Sequence, residues 1–472
     1  MNRKGGVSLV GLIMLVISSS IGAGIYNASQ QLAAVATPGP ALLAWLIVGI
    51  GILGLALSLK SLSETHPELT GISDYAKAGF GNFAGFLSGW GYWLSAWIGN
   101  IAFATMMMSA LGYFLPVFKS GNSGPAIITA SIISWLLTWL VVNGVENAAF
   151  INSIVTIVKL VPLVAFILLG LVTFNAGIFT AHFWQNFSSN FTYSVATPSG
   201  IFQQIKHCIM IMMWIFIGIE GATMMANRAR RRTDASRATI IGFISLLILN
   251  VVISMLPYGY LTQAQLAHVG NPALTYVVEQ MLGPVGGAFV SISLILTVMG
   301  TWLSWTLLPV EATSQMANEH LLPQWFGRLN RHRAPANSLW LTQVLLQLFL
   351  VSLLFTNQAY QVAISFCTAA IVICYALVGA YQIKVGWAQH SLKLMVPGIV
   401  ALGFEVLGII FAGLQYLWLC SIAYVLGFVF YWWAAHEQHR QLTSFEWLVM
   451  IIITLAALLA MVALVNGRIV LN

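Results

Sequence analysis

The sequence predicts an all-α polytopic membrane protein with 12–13 transmembrane helices. Of its 472 residues, 59% are hydrophobic and only 7% are charged, whereas soluble domains carry about 25% charged residues. Apolar stretches long enough to cross the hydrocarbon as a helix, which takes about 20 residues, follow one another along the chain. Most of the few charges fall between these stretches. A chain of this composition has little surface that faces water, so the bilayer is its main solvent.

Thirteen segments meet this length and are the elements of the predicted fold. The first follows the charged start MNRKGG, but it is too long for a signal peptide and lacks a cleavage site, so we expect it to be retained. The least marked division lies near Gln415. The segments run roughly over residues 8–34, 40–60, 82–116, 124–143, 150–175, 201–227, 237–258, 283–315, 338–356, 360–382, 395–413, 415–434 and 445–466.

The positive charges in the connections predict the orientation, because Lys and Arg gather on the cytoplasmic side. With the N-terminus in the cytoplasm, every connection that carries much positive charge lies on that side. The connections over residues 176–200 and 259–282, rich in polar and aromatic residues, are then extracellular caps, partly helical. The cytoplasmic cations are Lys60, Lys77, NRARRRTDASR (227–237), RLNRHR (328–333), Lys384, Lys393 and Arg440.

Two predicted helices are interrupted by glycines at matching places. The first contains SSSIGAGIY (18–26) and the sixth contains FIGIEGA (216–222). Such a pair in two halves of a chain indicates a transporter site between inverted repeats. We therefore expect a 5+5 inverted repeat with broken helices 1 and 6, over about residues 8–175 and 201–383. The transporter core would span residues 1–390, and residues 391–472 would add further C-terminal transmembrane helices.

Four ionisable residues lie inside predicted spans, where a charge costs at least about 2.5–3.5 kcal/mol. Glu220, in the break of span 6, is either a protonatable gating or coupling group or a cap for freed backbone NH groups. Lys159 is a proton switch, a fixed ammonium in place of a sodium ion, or a side chain that reaches the interface. Glu311 is either an interfacial anchor or a gate contact. Glu405 is interpreted as a packing or oligomer contact outside the transport path.

Three further residues are candidates for the lining of a substrate cavity. Trp214 and Trp305 lie too far from either interface to belong to the aromatic belts. A tryptophan in a cavity can stack on a guanidinium, an ammonium or an imidazole. Asn100 carries an amide group in the middle of a span. This amide forms hydrogen bonds either with a polar substrate side chain or between two helices.

The sequence lacks the motifs of an enzyme or a metal protein. GxSxG, HExxH, CxxC and a phosphate-binding glycine loop are all absent. Cys208, Cys367, Cys374 and Cys420 lie in apolar stretches at no metal-ligand spacing, so we expect buried, unpaired thiols. We therefore expect no catalytic residue, no metal and no cofactor. The net charge of +7 indicates lipid headgroups, not nucleic acid, as the partner of the basic loops.

Four stretches together resemble the amino acid–polyamine–organocation superfamily. They are SSSIGAGIY in span 1, YAKAGFG with GWGYWLSAWIGN leading into span 3, WIFIGIEGA in span 6 and SWTLLPVEA in span 8. The pattern is most similar to the bacterial arginine:ornithine antiporters and more distantly to the arginine:agmatine antiporters. The resemblance implies a fold of twelve or more spans with a LeuT-like inverted repeat and broken helices 1 and 6.

The resemblance also implies how the two ends of a substrate amino acid are bound. Backbone NH groups in the break of span 1 would bind the carboxylate, and carbonyl groups at both breaks would bind the α-ammonium. The donors belong to Gly22, Ala23 and Gly24, and the acceptors lie around Ser20, Trp214 and Ile217.

The same resemblance implies which residues contact the substrate side chain and which residues form a gate. Trp214 would stack on the substrate, and Tyr92 with Glu220 would form a gate. Lys159 matches a lysine that occupies the sodium position in sodium-independent relatives. The contacts to the substrate side chain would come from Asn100, Trp305, the backbone near Ser95 and Ala96, and, less directly, Ser365 in span 10.

The expected function is sodium-independent antiport in a bacterial cell membrane. A basic amino acid would enter in exchange for its metabolic product, with arginine and ornithine as the first pair. The alternatives are histidine for histamine or another amino acid/amine pair, and proton-coupled uptake through Glu220 or Lys159; a membrane-embedded enzyme or a channel is a weaker hypothesis. The expected partners are amino acid and amine substrates and the lipid bilayer, with a homodimer as a candidate assembly. Three departures from the pattern, NASQQ (27–31), LTGISDYA (69–76) and Ala23, leave the substrate pair open.

Overall fold

The computed structural model describes residues 8–69, 71–144, 148–221, 229–355, 359–412 and 414–466. Helices account for most of these residues. In the first part of the chain they are α1 (Leu9–Ser20), α2 (Gly24–Val35), α3 (Pro38–Thr65), α4 (Ile72–Phe80), α5 (Asn82–Leu111), α6 (Gly124–Val142), α7 (Ala148–Thr173) and α8 (Ala176–Thr180).

The middle of the chain combines long helices with short capping elements. A hairpin pairs β1 (Asn186–Phe187) with β2 (Tyr193–Ser194) in antiparallel register. The helices that follow are α9 (Pro198–Ile215), α10 (Arg232–Met255), α11 (Gln263–Ala267) and α12 (Ala273–Leu282).

The last part of the chain is again a series of long helices. These are α13 (Pro284–Asn318), the short α14 (Gln324–Gly327), α15 (Ala336–Ser352), α16 (Ala359–Ala388), α17 (Leu392–Ala412), α18 (Leu414–Glu437) and α19 (Ser444–Val465). The division expected near Gln415 falls beside residue 413, which lies outside the described residues; the apolar helices on its two sides, Leu392–Phe411 and Tyr416–Glu437, are two separate candidate spans.

The helices confirm a polytopic all-α membrane protein. Among the described residues, ten helices are long and apolar enough to cross a membrane, and α1 with α2 forms an eleventh span that bends by 48°. The other two predicted spans correspond to α7 and α9. The predicted sixth span continues to residue 227, and its last part lies outside the described residues.

The predicted end of the third span differs from the observed end of the helix by several residues. The third span was expected to reach residue 116, but α5 ends at Leu111. The chain turns at Gly112, and a 3-10 helix with Pro at its start, Pro116–Phe118, follows. Proline lacks the backbone NH group that the interior of an α-helix needs, so it is tolerated in the first turn of a helix but disrupts its interior.

The connection between α7 and α9 and the segment before α12 form a cap at one end of the bundle. The Gly39 NH donates to the carbonyl oxygen of Phe183 at 2.8 Å, which ties the cap to the start of α3. The Tyr258 hydroxyl donates to the carbonyl oxygen of Ala36 at 2.9 Å. The caps expected over residues 176–200 and 259–282 are therefore partly helical, and the first also contains the hairpin.

The long helices differ greatly in burial. In an 18-residue stretch of α5, 94% of the residues are buried, compared with 22% for α19. Two cysteines of α16 join it to α5: the Cys367 thiol lies 3.0 Å from the carbonyl oxygen of Ser95, and the Cys374 thiol lies 3.0 Å from that of Ser88. All four cysteines are buried and unpaired, as expected. Thus α5 forms the centre of the bundle and α19 its periphery.

Candidate substrate site

The two glycine-containing breaks lie against each other. Helix α1 ends at Ser20 and α2 begins at Gly24, while α9 ends at Ile215 and residues 216–220 form turns. The Ser19 hydroxyl donates to the carbonyl oxygen of Gly218 at 3.0 Å. Gly218 has a φ of +105°, and a Cβ atom there would lie 3.1 Å from the Ser19 backbone. Glycine at this position therefore allows both the positive φ and the close approach of the two breaks.

A cavity lies where the two breaks meet α5, α13 and α16. It contains about 380 Å³ of empty space, which includes its opening to solvent. None of the described residues that line it is charged. They are Ser19, Ser20, Gly22, Ala23, Gly24, Ile25, Ser95, Gly99, Phe103, Trp214, Ile215, Ile217, Trp305 and Cys367.

The break between α1 and α2 presents unused hydrogen-bond donors to this cavity. Within the described residues, the backbone NH groups of Gly22, Ala23 and Gly24 have no acceptor. The Ser20 hydroxyl is buried and likewise has no partner in that part of the chain. The N-terminal end of α2, where its helix dipole is positive, also lies at this cavity. Donors at a helix N-terminus suit an anion such as a carboxylate.

Aromatic side chains form much of the remaining lining. The ring centroids of Phe103 and Trp214 are 6.0 Å apart. The Trp305 indole donates to the carbonyl oxygen of Ser19 at 3.2 Å, which fixes its ring beside the break in α1. An aromatic face in a water-poor cavity attracts a cation. One end of the cavity therefore suits an anion and its walls suit a cation.

Comparisons with known proteins identify the family. The family model described as amino acid permease matches residues 7–469. An arginine/ornithine antiporter of Latilactobacillus sakei is 51% identical over 470 residues, which cover 98% of each chain. Arginine/ornithine antiporters of Lactococcus lactis subsp. cremoris and Pseudomonas aeruginosa are 46% and 37% identical, over 98% and 97% of this chain and 96% of each relative.

The chain belongs to the amino acid permease family. This confirms the resemblance to the amino acid–polyamine–organocation superfamily. The relatives named above are antiporters of this family, so the protein is a transporter and not an enzyme.

Most of the residues expected at the substrate surround the cavity of this permease. Those that line it are Ser20, Gly22, Ala23, Gly24, Ser95, Trp214, Ile217 and Trp305. Three others do not line it: Ala96, Asn100 and Ser365. The Asn100 amide instead donates to the carbonyl oxygen of Trp305 at 3.0 Å, so it positions the helix that carries this tryptophan.

Sequence reasoning missed six residues that line the cavity. On α5, Ser95, Gly99 and Phe103 recur every four residues and therefore share one helix face. That spacing was the available signal, whereas Ala96 and Asn100 are offset from it by one residue, about 100° around the helix. On α16, Cys367 lines the cavity two residues after Ser365. The others missed are Ser19, Ile25 and Ile215.

Lys159 is buried behind the break of span 1. Its side chain is only 1% exposed, and the ammonium donates to the Ser18 carbonyl oxygen at 2.7 Å and to the Ser18 hydroxyl at 3.2 Å. It therefore does not reach the interface. Ser18 lies in the last turn of α1, where the negative end of the helix dipole favours a cation. Lys159 thus fixes the C-terminal end of α1 next to the cavity.

Glu220 caps the break of span 6. Its Oε2 accepts a hydrogen bond from the Gly218 NH at 3.2 Å and one from the Tyr375 hydroxyl at 2.7 Å. The side chain is fully buried. Tyr92 is close enough to Glu220 for an electrostatic interaction, and its ring centroid lies 6.5 Å from that of Trp305. The residues expected at the gate therefore join α5, α13 and α16 to the break.

No group of three or more His, Cys, Asp or Glu residues that could hold a metal ion occurs within the described ranges. Glu311 is exposed on α13. Glu405 is 1% exposed, inside the bundle.

Proposed function

We propose that this permease is a sodium-independent antiporter that imports arginine in exchange for ornithine. The observation that carries the proposal is the near-full-length similarity to three arginine/ornithine antiporters, at 51%, 46% and 37% identity. The cavity supports it, because its parts match the three polar groups of a basic amino acid.

The carboxylate of the substrate would lie at the break of span 1. The free NH groups of Gly22, Ala23 and Gly24 and the unpartnered Ser20 hydroxyl would donate to it. The substrate α-ammonium would bind carbonyl groups at the ends of α1 and α9, where the last turns leave carbonyl oxygens without intrahelical partners. These contacts are the same for arginine and ornithine, since they use only the backbone groups of an amino acid.

The cationic side chain would lie between the aromatic walls. In the part of the chain that the structure describes, no lining residue is charged, so the guanidinium of arginine and the ammonium of ornithine would both be held by Trp214, Trp305 and nearby carbonyl oxygens. A site without a fixed counter-charge binds the two cations in a similar way. Exchange of one for the other is electroneutral, because both amino acids carry one net positive charge at neutral pH.

Sodium independence is supported by the position of Lys159. Its amino group occupies the space next to the Ser18 carbonyl group, to which it donates a hydrogen bond. Alternating access would come from movement of the two five-helix repeats against each other around the broken spans. We place the N-terminus in the cytoplasm of a bacterial cell, because the cationic connections then lie inside.

A binding panel on the purified protein tests the substrate pair. A ligand that binds only the folded state stabilises it by about 2.7 kcal/mol at a concentration of 100 times its dissociation constant. We expect arginine and ornithine to raise the unfolding temperature, and histidine, histamine and agmatine to raise it much less. Stabilisation by histidine and histamine alone would assign the protein to that pair. Uptake into liposomes without internal substrate, driven by a pH gradient, would indicate proton-coupled uptake instead.

A further inference from the structure

Glu405 lies in the middle of α17, and its carboxyl group is buried inside the bundle. Its side chain is 1% exposed. Neither carboxyl oxygen has a hydrogen-bond partner among the residues that the structure describes. Glu220, in contrast, accepts hydrogen bonds from Tyr375 and Gly218. The two buried glutamates are therefore held in different ways.

The packing of α17 directs Glu405 toward the interior. Gly398 of α17 lies against Gly379 of α16, where a Cβ atom on Gly379 would be 3.1 Å from the Gly398 carbonyl oxygen. Glu405 follows Gly398 by seven residues, or nearly two helical turns, and so shares its face. One turn further, Gly408 touches the Met213 side chain of α9. Glu405 thus lies between the helix that carries Tyr375 and the helix that leads into the second break.

The groups that face Glu405 offer it no counter-charge. On α16 they are Cys374 and Tyr375, both close enough for an electrostatic interaction. No cationic group among the described residues is close enough to Glu405 for an electrostatic interaction. On α3 the contact with α17 is made by Gly51 and Gly54.

The remaining neighbours add no cation either. On α9 the contact is made by Met213.

The protonation state of Glu405 follows from this environment. An ionised carboxylate away from water, without a cation or hydrogen-bond donors, is far less stable than the neutral acid, which has no net charge to solvate. A buried carboxyl group in such a place takes up a proton rather than remain charged.

We propose that Glu405 is a proton-binding site of the carrier, which must hold its proton for exchange to proceed. The inference rests on the antiport function proposed above. Loss of the proton to water would leave a negative charge beside Tyr375, whose hydroxyl donates to Glu220 at the second break. The Tyr375 hydroxyl would then be drawn between two carboxylates, and the contact that fixes this break would change. Proton binding at Glu405 is thereby linked to the state of the gate.

Infrared spectroscopy tests the site itself, without reference to transport. Spectra of the purified protein across a pH series should show the carbonyl band of a protonated carboxylic acid at neutral pH. The band should be absent from Glu405→Gln and retained in Glu64→Gln, a control that removes an exposed carboxylate paired with Lys60. The same band in Glu405→Gln as in the wild type would overturn the assignment.

The pH dependence of exchange tests the link to transport. Above the pH at which the band disappears, arginine/ornithine exchange by the wild type should fall about tenfold per pH unit, as the protonated fraction does. Glu405→Gln, which cannot ionise, should lose this alkaline decline, and Glu64→Gln should keep it. An unchanged decline in Glu405→Gln would refute the link. If the wild type exchanges neither amino acid, the proposed function fails, while the infrared result still decides whether Glu405 binds a proton.

Discussion

A Cβ atom on Gly24 would lie 2.9 Å from the Trp214 indole nitrogen, and one on Gly22 would lie 2.7 Å from the Phe103 ring. These approaches are closer than side-chain atoms tolerate. Both glycines therefore bring the backbone NH groups of the break to the aromatic walls. The contacts explain why the first span contains poor helix formers at its centre, where a continuous helix would present no free donors.

Gly24→Val should abolish arginine binding while the protein still inserts and folds. The new side chain would meet the Trp214 ring and push it into the cavity. Arginine-dependent stabilisation, measured by thermal unfolding, should disappear. Gly403→Val is the matched control, because no atom lies within 4 Å of a Cβ atom at that glycine. A normal arginine shift in Gly24→Val would show that the break is not the binding site.

Trp305→Leu should weaken the binding of both cationic substrates. A cation–π contact contributes about 0.5–2 kcal/mol, so the dissociation constants for arginine and ornithine should rise about 2- to 30-fold. Trp387→Leu removes a tryptophan that is 71% exposed and should leave both constants unchanged. Equal affinities in the wild type and Trp305→Leu, measured by titration calorimetry, would exclude this wall as the cation site.

Lys159→Gln should destabilise the folded protein and reduce exchange. The Lys159 Nζ donates two hydrogen bonds to Ser18, and a buried acceptor that loses its donor costs about 1–3 kcal/mol. The unfolding temperature should therefore drop, whereas Lys393→Gln, at an exposed position, should not change it. If the two variants unfold at the same temperature, Lys159 does not hold the end of α1.

At the scale of elements, the sequence predicted the long helices and the paired breaks, because hydrophobic length and interrupting glycines are local signals. It did not predict the hairpin Asn186–Ser194 or the exact end of α5. The hairpin has only two residues in each strand, too few for a periodic pattern. The end of α5 depends on a turn at Gly112, within a stretch that remains apolar in sequence.

One connection between elements forms a polar cluster at an end of the bundle. The Lys77 ammonium of α4 lies 3.2 Å from the carboxylate of Glu319, just after α13. Gln315 donates to both carboxylate oxygens of Asp74, at 3.0 and 2.8 Å. The cluster therefore joins α4 to the end of α13, on the side that we propose to be cytoplasmic.

Protonation of Glu319 should control the stability of this cluster. Burial and the neighbouring Asp74 carboxyl group raise the pKa of Glu319 to about 7, although Lys77 acts in the opposite direction. Because the pKa in the folded state is above the usual value, the stabilisation is complete below the usual pKa and is lost as the pH rises through about 7. The unfolding temperature of the wild type should fall over this range.

Glu319→Gln should show a smaller fall, since it cannot ionise. Glu64→Gln, at a position 41% exposed, should behave as the wild type does. An identical pH profile in Glu319→Gln would mean that another group titrates.

At the scale of the whole molecule, the sequence predicted the class, the order of the spans and most of the cavity. It could not predict which distant residues meet. Tyr375 and Glu220 are 155 residues apart in sequence, and Ser19 and Gly218 are 199 apart. Such pairs depend on how all the helices pack, and a single chain carries no local pattern that links them. For the same reason, the sequence could not show that the Glu405 carboxyl group lacks a hydrogen-bond partner among the described residues.

The most direct test of the account is the uptake of labelled arginine into liposomes that contain the purified protein. No pH gradient, sodium gradient or membrane potential should be applied. With ornithine inside, we expect rapid uptake that does not respond to added sodium or to an imposed potential, because one cation replaces another. Empty liposomes should take up little arginine. Uptake that is equally fast in empty and in ornithine-loaded liposomes would contradict the proposal that the protein is an exchanger.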